Sequence, residues 1–453
     1  MYSTGSYSTV TNSNFTYNGA QGNGGAMYWY GGSNSKYNDI LGCLFEENVA
    51  YARSSSNTKG GGAIYWSEGG AHDSIKDSKF IRNSVQSDNK ADGGAILWDR
   101  SNYVVIDNCI FDGDYITTSA TGNVWVQGGA LYLRVDSKAV INNSVFVNCS
   151  SDKEAGALYV QSKSNLDINN PILIENTKFI SNVAKAIAPN VYGGGAVQVK
   201  ECNNIFFTND SFINNTANNG GALSVYNAAE PVKFIDCVFI GNNATQNGGS
   251  IWFNKRLYLY NVTISDSYAE NFGGGMYNEN AELIHNNLTF INNTALNGGG
   301  IYWNRNNINI HDMVFLNNTA LQYGGAIYIS KGGNSLSNVN MTGNKAFSGS
   351  AIYSTAAFTL TNAYLIENQA NSSSLTFDSY DESTGKIVLL FKGKDKYLNA
   401  IYVTGSNRPT CNNVTYWSEN GVDNTGSSTV TLPNAADPTP EAGQNITVGV
   451  YDD

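Results

Sequence analysis

The sequence predicts an all-β fold, a right-handed parallel β-helix solenoid of about 12–13 coils with a C-terminal cap. Two short motifs recur along the chain at intervals of 25 to 39 residues, which is typical of stacked repeats. The composition agrees, because 47 glycines, 28 tyrosines and only 7 prolines favour short strands and tight turns. No segment shows a sustained helical periodicity.

The first motif is a Gly-Gly pair followed by a small residue, an apolar residue and, in most copies, an aromatic residue. Glycine suits a corner that needs positive backbone torsion and leaves no room for a side chain between stacked coils. The residue after the small one is apolar in every copy, so we expect it to point into the core. These inward residues are Met27, Ile64, Ile96, Leu131, Leu158, Val197, Leu223, Ile251, Met276, Ile301, Ile327 and Ile352.

The second motif, Phe-x-x-Asn, supplies another core residue and a polar corner. Asparagine tolerates the left-handed backbone of a turn, and identical amides of neighbouring coils can hydrogen-bond along the stack. We therefore expect an asparagine ladder. Its members are Asn18, Asn48, Asn83, Asn182, Asn215, Asn242, Asn293, Asn318, Asn344 and Asn368. The shortest repeat, residues 273–297, has room for three short strands per coil.

Charge and cysteine content exclude several kinds of partner. With a formal net charge of −11, the chain has no basic surface for a phosphate backbone, so we expect no nucleic-acid partner. No run of about 18 apolar residues is available to span a bilayer, so we expect no membrane insertion. The six cysteines form no CxxC pair, and Cys43, Cys109 and Cys237 precede the repeat phenylalanine by two residues, so we expect buried free thiols.

The chain divides into three predicted parts. Residues 1–372 carry the β-helix repeats, residues 373–432 form a capping segment, and residues 433–453 form a linker and the start of an Ig-like stalk domain. The stretch GKIVLLFKGKDKYLNAIYV is apolar enough to cover the open last coil. The start, MYSTGSYSTV, lacks the regions of a signal peptide, so we expect the native signal and anchor to lie outside this sequence. We expect a monomer.

An aromatic column indicates a possible binding face. An aromatic residue follows the inward residue in most copies, and strand alternation places it on the outside of the coil. Extra residues enter beside this column at 49–60, 84–92, 112–127 and 183–193. Two interpretations stay open, because stacked rings stabilise a sheet and exposed rings bind ligands. The candidate ligand-binding residues are Tyr28, Tyr65, Tyr132 and Tyr159, with Tyr115 and Trp125 of the longest loop closing over Tyr65 and Tyr132.

No set of residues indicates catalysis, a cofactor or a metal. Asp77, Asp236 and Asp312 share a repeat position, but several coils separate them, so we interpret them as solvated. His285 and His311 are expected to project to opposite sides of the strand, which argues against a general-base pair. We therefore expect no enzymatic activity.

Fourteen sequons for N-glycosylation are present, and three of them share a corner of the repeat. Asn214, Asn292 and Asn317 lie directly before a ladder asparagine. Glycans on these three residues would line one edge of the solenoid.

The paired GGA[ILV] and FxxN elements, over residues 14–368, resemble the repeats of the chlamydial polymorphic outer membrane proteins and of the large adhesin-like surface proteins of methanogenic archaea. The tail, with CNNVTYWSENGVDNTG, PNAADPTP and EAGQNITVGVYDD, resembles the archaeal group more. The resemblance implies an extracellular adhesin at the cell surface that binds a partner cell or a surface glycan, and it supplies no catalytic residues. The alternative on this fold is a polysaccharide lyase or hydrolase.

Overall fold

The computed structural model describes most of the chain as stacked β-strands. It covers residues 1–30, 36–52, 60–67, 72–122, 124–162, 170–185, 193–202, 204–228, 231–370, 380–381, 386–387, 400–403 and 410–417. Residues 1–245 with 250–258 form one compact unit (unit 1), and residues 246–249 with 259–453 form another (unit 2). In the described residues all regular structure is β-strand, and strands of successive coils pair in parallel, which confirms a parallel β-helix.

In unit 1 most coils contain four short strands, which we name the glycine, middle, phenylalanine and return strands in chain order. The glycine strands are Tyr2–Ser3, Met27–Tyr30, Ile64–Ser67, Leu158–Ser162, Val197–Lys200, Leu223–Tyr226 and Ile251–Phe253. The middle strands are Thr9–Thr11, Asp39–Leu41, Asp73–Lys76, Ile172–Glu175, Ile205–Thr208 and Val232–Ile235. Glycine and middle strands run together as Ile96–Asp107 and Leu131–Asn142.

The other strands of unit 1 complete each coil. The phenylalanine strands are Asn14–Thr16, Leu44–Glu46, Lys79–Ile81, Ile110–Asp112, Val145–Val147, Lys178–Ile180, Ser211–Ile213 and Val238–Ile240. The return strands, which form a separate sheet, are Gly19–Gln21, Val49–Ala52, Ser84–Ser87, Tyr115–Thr118, Ser150–Ser151, Val183–Ala184 and Thr216–Asn219. Two strands inside corner loops, Ala91–Asp92 and Val126–Gln127, pair with each other. Strands Asn243–Asn247 and Leu257–Ser265 include residues of both units.

Unit 2 has three strands per coil, because the middle and phenylalanine strands are continuous. Its glycine strands are Met276–Asn278, Ile301–Trp303, Ile327–Ile329, Ile352–Ser354 and Ile401–Val403. The continuous strands are Leu283–Ile291, Asn309–Leu316, Asn334–Thr342, Phe358–Ile366 and Thr410–Trp417. The return strands are Tyr268–Phe272, Thr294–Asn297, Thr319–Tyr323, Lys345–Ala346 and Gln369–Ala370, and Tyr380–Asp381 pairs with Lys386–Ile387. Three strands per coil is thus right for unit 2 and wrong for most of unit 1.

The last described strands add a coil to unit 2. Ile401–Val403 pairs with Ile352–Ser354, and Thr410–Trp417 pairs with Phe358–Ile366, both in parallel. They cover the edge of the preceding coil and lie within the predicted capping segment. The extent of that segment stays a prediction, and the predicted linker and stalk, residues 433–453, lie outside the described residues.

Repeat residues occupy the same place in successive coils, and the core follows from this register. The inward residues Ile64, Ile96 and Leu131 are aligned and fully buried, as the sequence predicts. Buried phenylalanines stack on one another, with ring centroids 4.9 Å apart for Phe45 and Phe80. The glycines of the corner are required, because a Cβ on Gly25 would collide with the carbonyl oxygen of Gly62.

The asparagine ladder is present, and its hydrogen bonds join successive coils. The side-chain oxygen of Asn83 accepts from the backbone N–H of Asn48 at 3.1 Å and from its Nδ2 at 2.8 Å. Asn83 Nδ2 donates in turn to the carbonyl oxygen of Phe45 at 2.9 Å. The sequence predicts that the ladder asparagine itself adopts the left-handed backbone, and this prediction is wrong. The left-handed residue is the one before it, such as Glu47 with φ 52° or Gly241 with φ 64°.

Carboxylic acids stand at three buried polar positions of the stack. Asp114 stands in the ladder, where its Oδ1 accepts from Asn83 N at 2.7 Å and from Asn83 Nδ2 at 2.9 Å. Asp73 accepts two hydrogen bonds from Asn38, and Asp210 accepts one from Thr177 N at 2.7 Å. Burial raises the pKa of all three, to about 6 for Asp73. Each carboxyl is therefore held more readily in its neutral form, which resembles an amide.

The described cysteines follow the prediction. Cys43, Cys109, Cys149, Cys202 and Cys237 are free thiols, and all are buried. Burial raises the pKa of the Cys109 and Cys202 thiols to about 12, so they remain protonated and pack as small apolar side chains. Cys411 lies in the strand Thr410–Trp417, and its side chain is outside the described residues.

Substituting Asn318 with Ala should destabilise unit 2 by roughly 3 kcal/mol or more, because buried groups in neighbouring coils lose their partners. Asn318 accepts from Asn293 N and Nδ2 at 3.0 and 2.9 Å, and donates to Phe290 O at 2.9 Å. The matched control is Asn317→Gly, at an exposed left-handed position that is glycine in other coils. Thermal melts should show a large loss for Asn318→Ala alone. Equal losses would mean that the ladder contributes no more than the adjacent turn.

Substituting Asp73 with Asn should remove a pH dependence of stability. Because the folded pKa of about 6 lies above the ordinary value of 3.8, the protonated carboxyl stabilises the fold fully below pH 4, and this contribution is lost as the pH rises through 6. The loss is on the order of 3 kcal/mol. Urea unfolding at pH 4 and pH 7 should differ less for Asp73→Asn than for the parent, whereas the exposed Asp88→Asn should behave as the parent does. An unchanged difference in Asp73→Asn would contradict the assignment.

Candidate functional site

The aromatic column of unit 1 is a buried stack. Tyr65, Tyr132 and Tyr159 are only 1%, 8% and 2% exposed, so the expectation of an exposed aromatic face is wrong for these three. The rings cover one another, with centroids 4.9 Å apart for Tyr28 and Tyr65 and 5.1 Å apart for Tyr132 and Tyr159. They form an apolar cluster with Leu97 and Ala155 on the outside of the glycine strands. Most of their faces are therefore used for mutual stacking, which supports the structural interpretation.

The column is interrupted where Leu97 stands in register between Tyr65 and Tyr132. An open groove of about 560 Å³ lies over this position, and we name it the tyrosine groove. Its aromatic wall consists of Tyr28, Tyr30, Tyr65 and Tyr132, and its charged wall consists of Asp92, Asp99, Arg100 and Arg134. Tyr30 is 38% exposed, and Tyr28 is half-buried. Of these two accessible tyrosines, Tyr28 belongs to the predicted column and Tyr30 does not.

Polar contacts fix the side chains of Asp99, Tyr132 and Arg134, which line the tyrosine groove. Arg134 forms an ion pair with Asp99 at 3.4 Å. The Tyr132 hydroxyl donates to Gln161 Oε1 at 2.8 Å, and Gln161 Nε2 donates to Glu201 Oε2 at 2.8 Å. Burial raises the pKa of Tyr132, so its hydroxyl stays neutral. With two acids and two arginines, the groove is electrically balanced and presents both hydrogen-bond donors and acceptors.

The structure separates Trp125 from the position that the sequence predicts. Trp125 is 53% exposed and does not line the tyrosine groove. Its ring contacts lysines, with Lys90 Nζ 4.4 Å and Lys200 Nζ 5.5 Å from the ring centroid. The prediction that it closes over Tyr65 and Tyr132 is wrong, because the loop strand Val126–Gln127 packs Val126 into a separate buried cluster with Ala91 and Ile116.

Tyr115 also lies elsewhere, on the outside of the return strands. It begins the strand Tyr115–Thr118 and faces a second groove of about 440 Å³ with Tyr17, Tyr51 and Arg82. The prediction that it closes over Tyr65 is wrong, because residue 115 continues the return sheet instead of entering the corner loop. We name this second site the return-sheet groove.

His285 and His311 contact each other, contrary to the prediction that they project apart. Their ring centroids are 4.7 Å apart. His285 is 4% exposed. Its burial is the main cause that lowers its pKa to about 4, and the neighbouring His311 is the second cause. The His285 side chain is therefore uncharged at neutral pH. His311 Nδ1 lies 2.7 Å from Asp312 Oδ2. Alternation within one strand does not show that the two rings meet between coils.

The three predicted glycosylation residues occupy the same position of the repeat, and each is exposed. Asn214, Asn292 and Asn317 each have φ 55° and lie at the surface. Asn292 Nδ2 donates to Asp266 Oδ1 at 3.1 Å. Their modification stays a prediction.

The described residues contain neither a metal-binding cluster nor a membrane-spanning helix. No cluster of three or more His, Cys, Asp or Glu side chains in the described part of the chain is placed to hold a metal ion. Among the same residues, no helix has the length and apolarity needed to cross a bilayer.

Comparison with known proteins agrees with a repeat-built surface protein. The repeat of the Chlamydia polymorphic membrane proteins matches residues 42–65, 287–302 and 312–330. A protein of Escherichia coli (strain K12) named "Probable autotransporter YfaL" is 25% identical over 236 residues, which is 50% of this chain and 16% of that protein. The chain therefore carries repeats of the polymorphic membrane protein type and is similar to a surface or autotransporter-type protein. The archaeal origin stays a prediction.

Proposed function

We propose that the protein is a cell-surface adhesin that binds a glycan of a partner cell through the tyrosine groove. The observation that carries the proposal is the groove itself, which joins the accessible rings of Tyr28 and Tyr30 to the charged side chains of Asp92, Asp99 and Arg134. Similarity to an autotransporter and to polymorphic membrane protein repeats supports a location at the outer surface.

The chemistry of the groove suits a carbohydrate. Sugar rings have apolar faces that pack on aromatic side chains and hydroxyl edges that exchange hydrogen bonds with carboxylates and guanidinium groups. The Asp99 and Arg134 side chains hold each other in place at 3.4 Å, which reduces the entropy lost on binding. In this proposal Tyr65, Tyr132 and Tyr159 support the groove from below, and Tyr28 and Tyr30 contact the sugar.

A second candidate is a polysaccharide lyase or hydrolase, and one observation favours it. Asp92 and Asp99 line the same groove, and glycoside hydrolysis uses two carboxyl groups that flank one bond. Release of sugars from a polysaccharide panel by the parent protein, abolished in Asp92→Asn, would replace the adhesin proposal with this one. Binding without release in both proteins would support the adhesin.

Substituting Tyr30 with Ala should weaken glycan binding about tenfold or more, since an aromatic contact of this size is worth roughly 1.5 kcal/mol. The measurement is retention of purified protein on a glycan array and on whole cells. Because Tyr30 is 38% exposed, its removal should leave the melting temperature almost unchanged.

The matched control is Tyr268→Ala in unit 2, where a tyrosine of similar exposure, 42%, lies outside the tyrosine groove. This variant should bind as the parent does. Unchanged retention of folded Tyr30→Ala would contradict the proposed site.

A further inference from the structure

The return-sheet groove offers a second surface with the chemistry of a sugar site, on a different face of unit 1. It is lined by aromatic residues from three coils, namely Tyr17, Tyr51 and Tyr115, together with Arg82 and Glu47. Tyr17 is 72% exposed, and Tyr51 and Tyr115 are half-buried. The groove lies outside the return strands, whereas the tyrosine groove lies outside the glycine strands.

Small residues beside these rings make the aromatic surface accessible. Gly19 is in register with Val49 in the return sheet, and a Cβ on Gly19 would lie 3.6 Å from Cε2 of Tyr51. The Tyr51 ring therefore leans across the bare backbone of the preceding coil. Ser84 lies in register between Val49 and Tyr115, whereas Tyr51 stands two residues farther along its strand, in register with Gln86. The result is a shallow floor with aromatic side chains along it.

The charged side chains of the groove form an ion-paired cluster that disfavours an anion. The Arg82 guanidinium bonds to Glu47 through Nε at 3.0 Å and through Nη2 at 2.8 Å, and Nη2 also bonds to Glu46 at 2.8 Å. Two carboxylates thus surround one guanidinium, which leaves a net negative charge. Free carboxylate lone pairs accept hydrogen bonds from hydroxyl groups. An uncharged polyol fits this arrangement, whereas a uronate or a sialylated sugar would be repelled.

The spacing of the rings matches a linear chain. Successive coils are about 4.8 Å apart, so the step from the coil of Tyr17 to the coil of Tyr115 is about 15 Å. That length corresponds to a short oligosaccharide of three or four pyranose units running across the strands. Each pyranose would then meet a ring or a small residue of the floor.

We propose that the return-sheet groove binds a neutral linear oligosaccharide of three to four sugars, as a second glycan site on unit 1. This inference rests on the proposed function, because it assigns a second contact to the same class of ligand. Two sites on one protein that contact one polysaccharide would raise its avidity well above that of either site.

Isothermal titration of the full chain with neutral tetrasaccharides, cellotetraose and mannotetraose, and with acidic tetragalacturonate tests this proposal. At least one neutral tetrasaccharide should bind saturably, and tetragalacturonate should bind at least tenfold more weakly. Tyr51→Ala and Tyr115→Ala should each weaken the neutral ligand about tenfold. Tyr51→Phe, which keeps the ring, should bind nearly as well as the parent.

Tyr268→Ala is the matched control, because Tyr268 begins the return strand Tyr268–Phe272 as Tyr115 begins its own. It should leave binding unchanged, and all variants should melt close to the parent. Loss of binding in Tyr30→Ala with full binding in Tyr51→Ala and Tyr115→Ala would overturn this inference and leave the proposed function standing. Absence of saturable binding by either neutral tetrasaccharide would overturn it as well.

Discussion

The hydrogen bonds that run from each coil to the next through buried amide side chains are the constraint on which the rest of this structure depends. A ladder asparagine such as Asn318 bonds to the coils on both sides of it, so a slip of one residue would break several buried hydrogen bonds at once. The register places phenylalanine on phenylalanine from Phe15 to Phe239 in unit 1, and in unit 2 it places Phe290 on Phe315 and Phe315 on Met341. Replacement by an acid at Asp114 keeps the geometry, because a neutral carboxyl accepts the same two hydrogen bonds.

A core fixed in this way leaves the outside of the coil free to vary. Glycines and ladder amides hold the corners, while the outward residues of neighbouring coils change from Tyr65 to Leu97 and back to Tyr132. The tyrosine groove lies over that change. In the return sheet, the small residues Gly19 and Ser84 share a column with Tyr115. Both proposed binding surfaces lie where a small or aliphatic side chain stands beside tyrosines.

Sequence periodicity predicted the buried half of the structure well and the exposed half poorly. Ile301 and Asn318 were placed correctly, because an inward apolar residue and a ladder amide have the same surroundings in every coil. Tyr65 was expected at the surface and is buried, because alternation gives the direction of a side chain and not the stacking of rings between coils. Tyr115 and Trp125 were misplaced because loop length does not show which sheet a residue joins. The contact of His285 with His311 was missed for a related reason, since neighbours across coils are far apart in sequence.

Hydrogen exchange of the ladder side chains tests the central claim most directly. The Nδ2 hydrogens of Asn48, Asn83, Asn215 and Asn318 are buried and bonded to the next coil, so they should exchange as slowly as the most protected backbone amides of the same unit. The exposed side-chain amide of Asn317 should exchange rapidly in the same spectrum. Rapid exchange of the ladder amides in folded protein would show that coils keep their register without them, and would contradict this account.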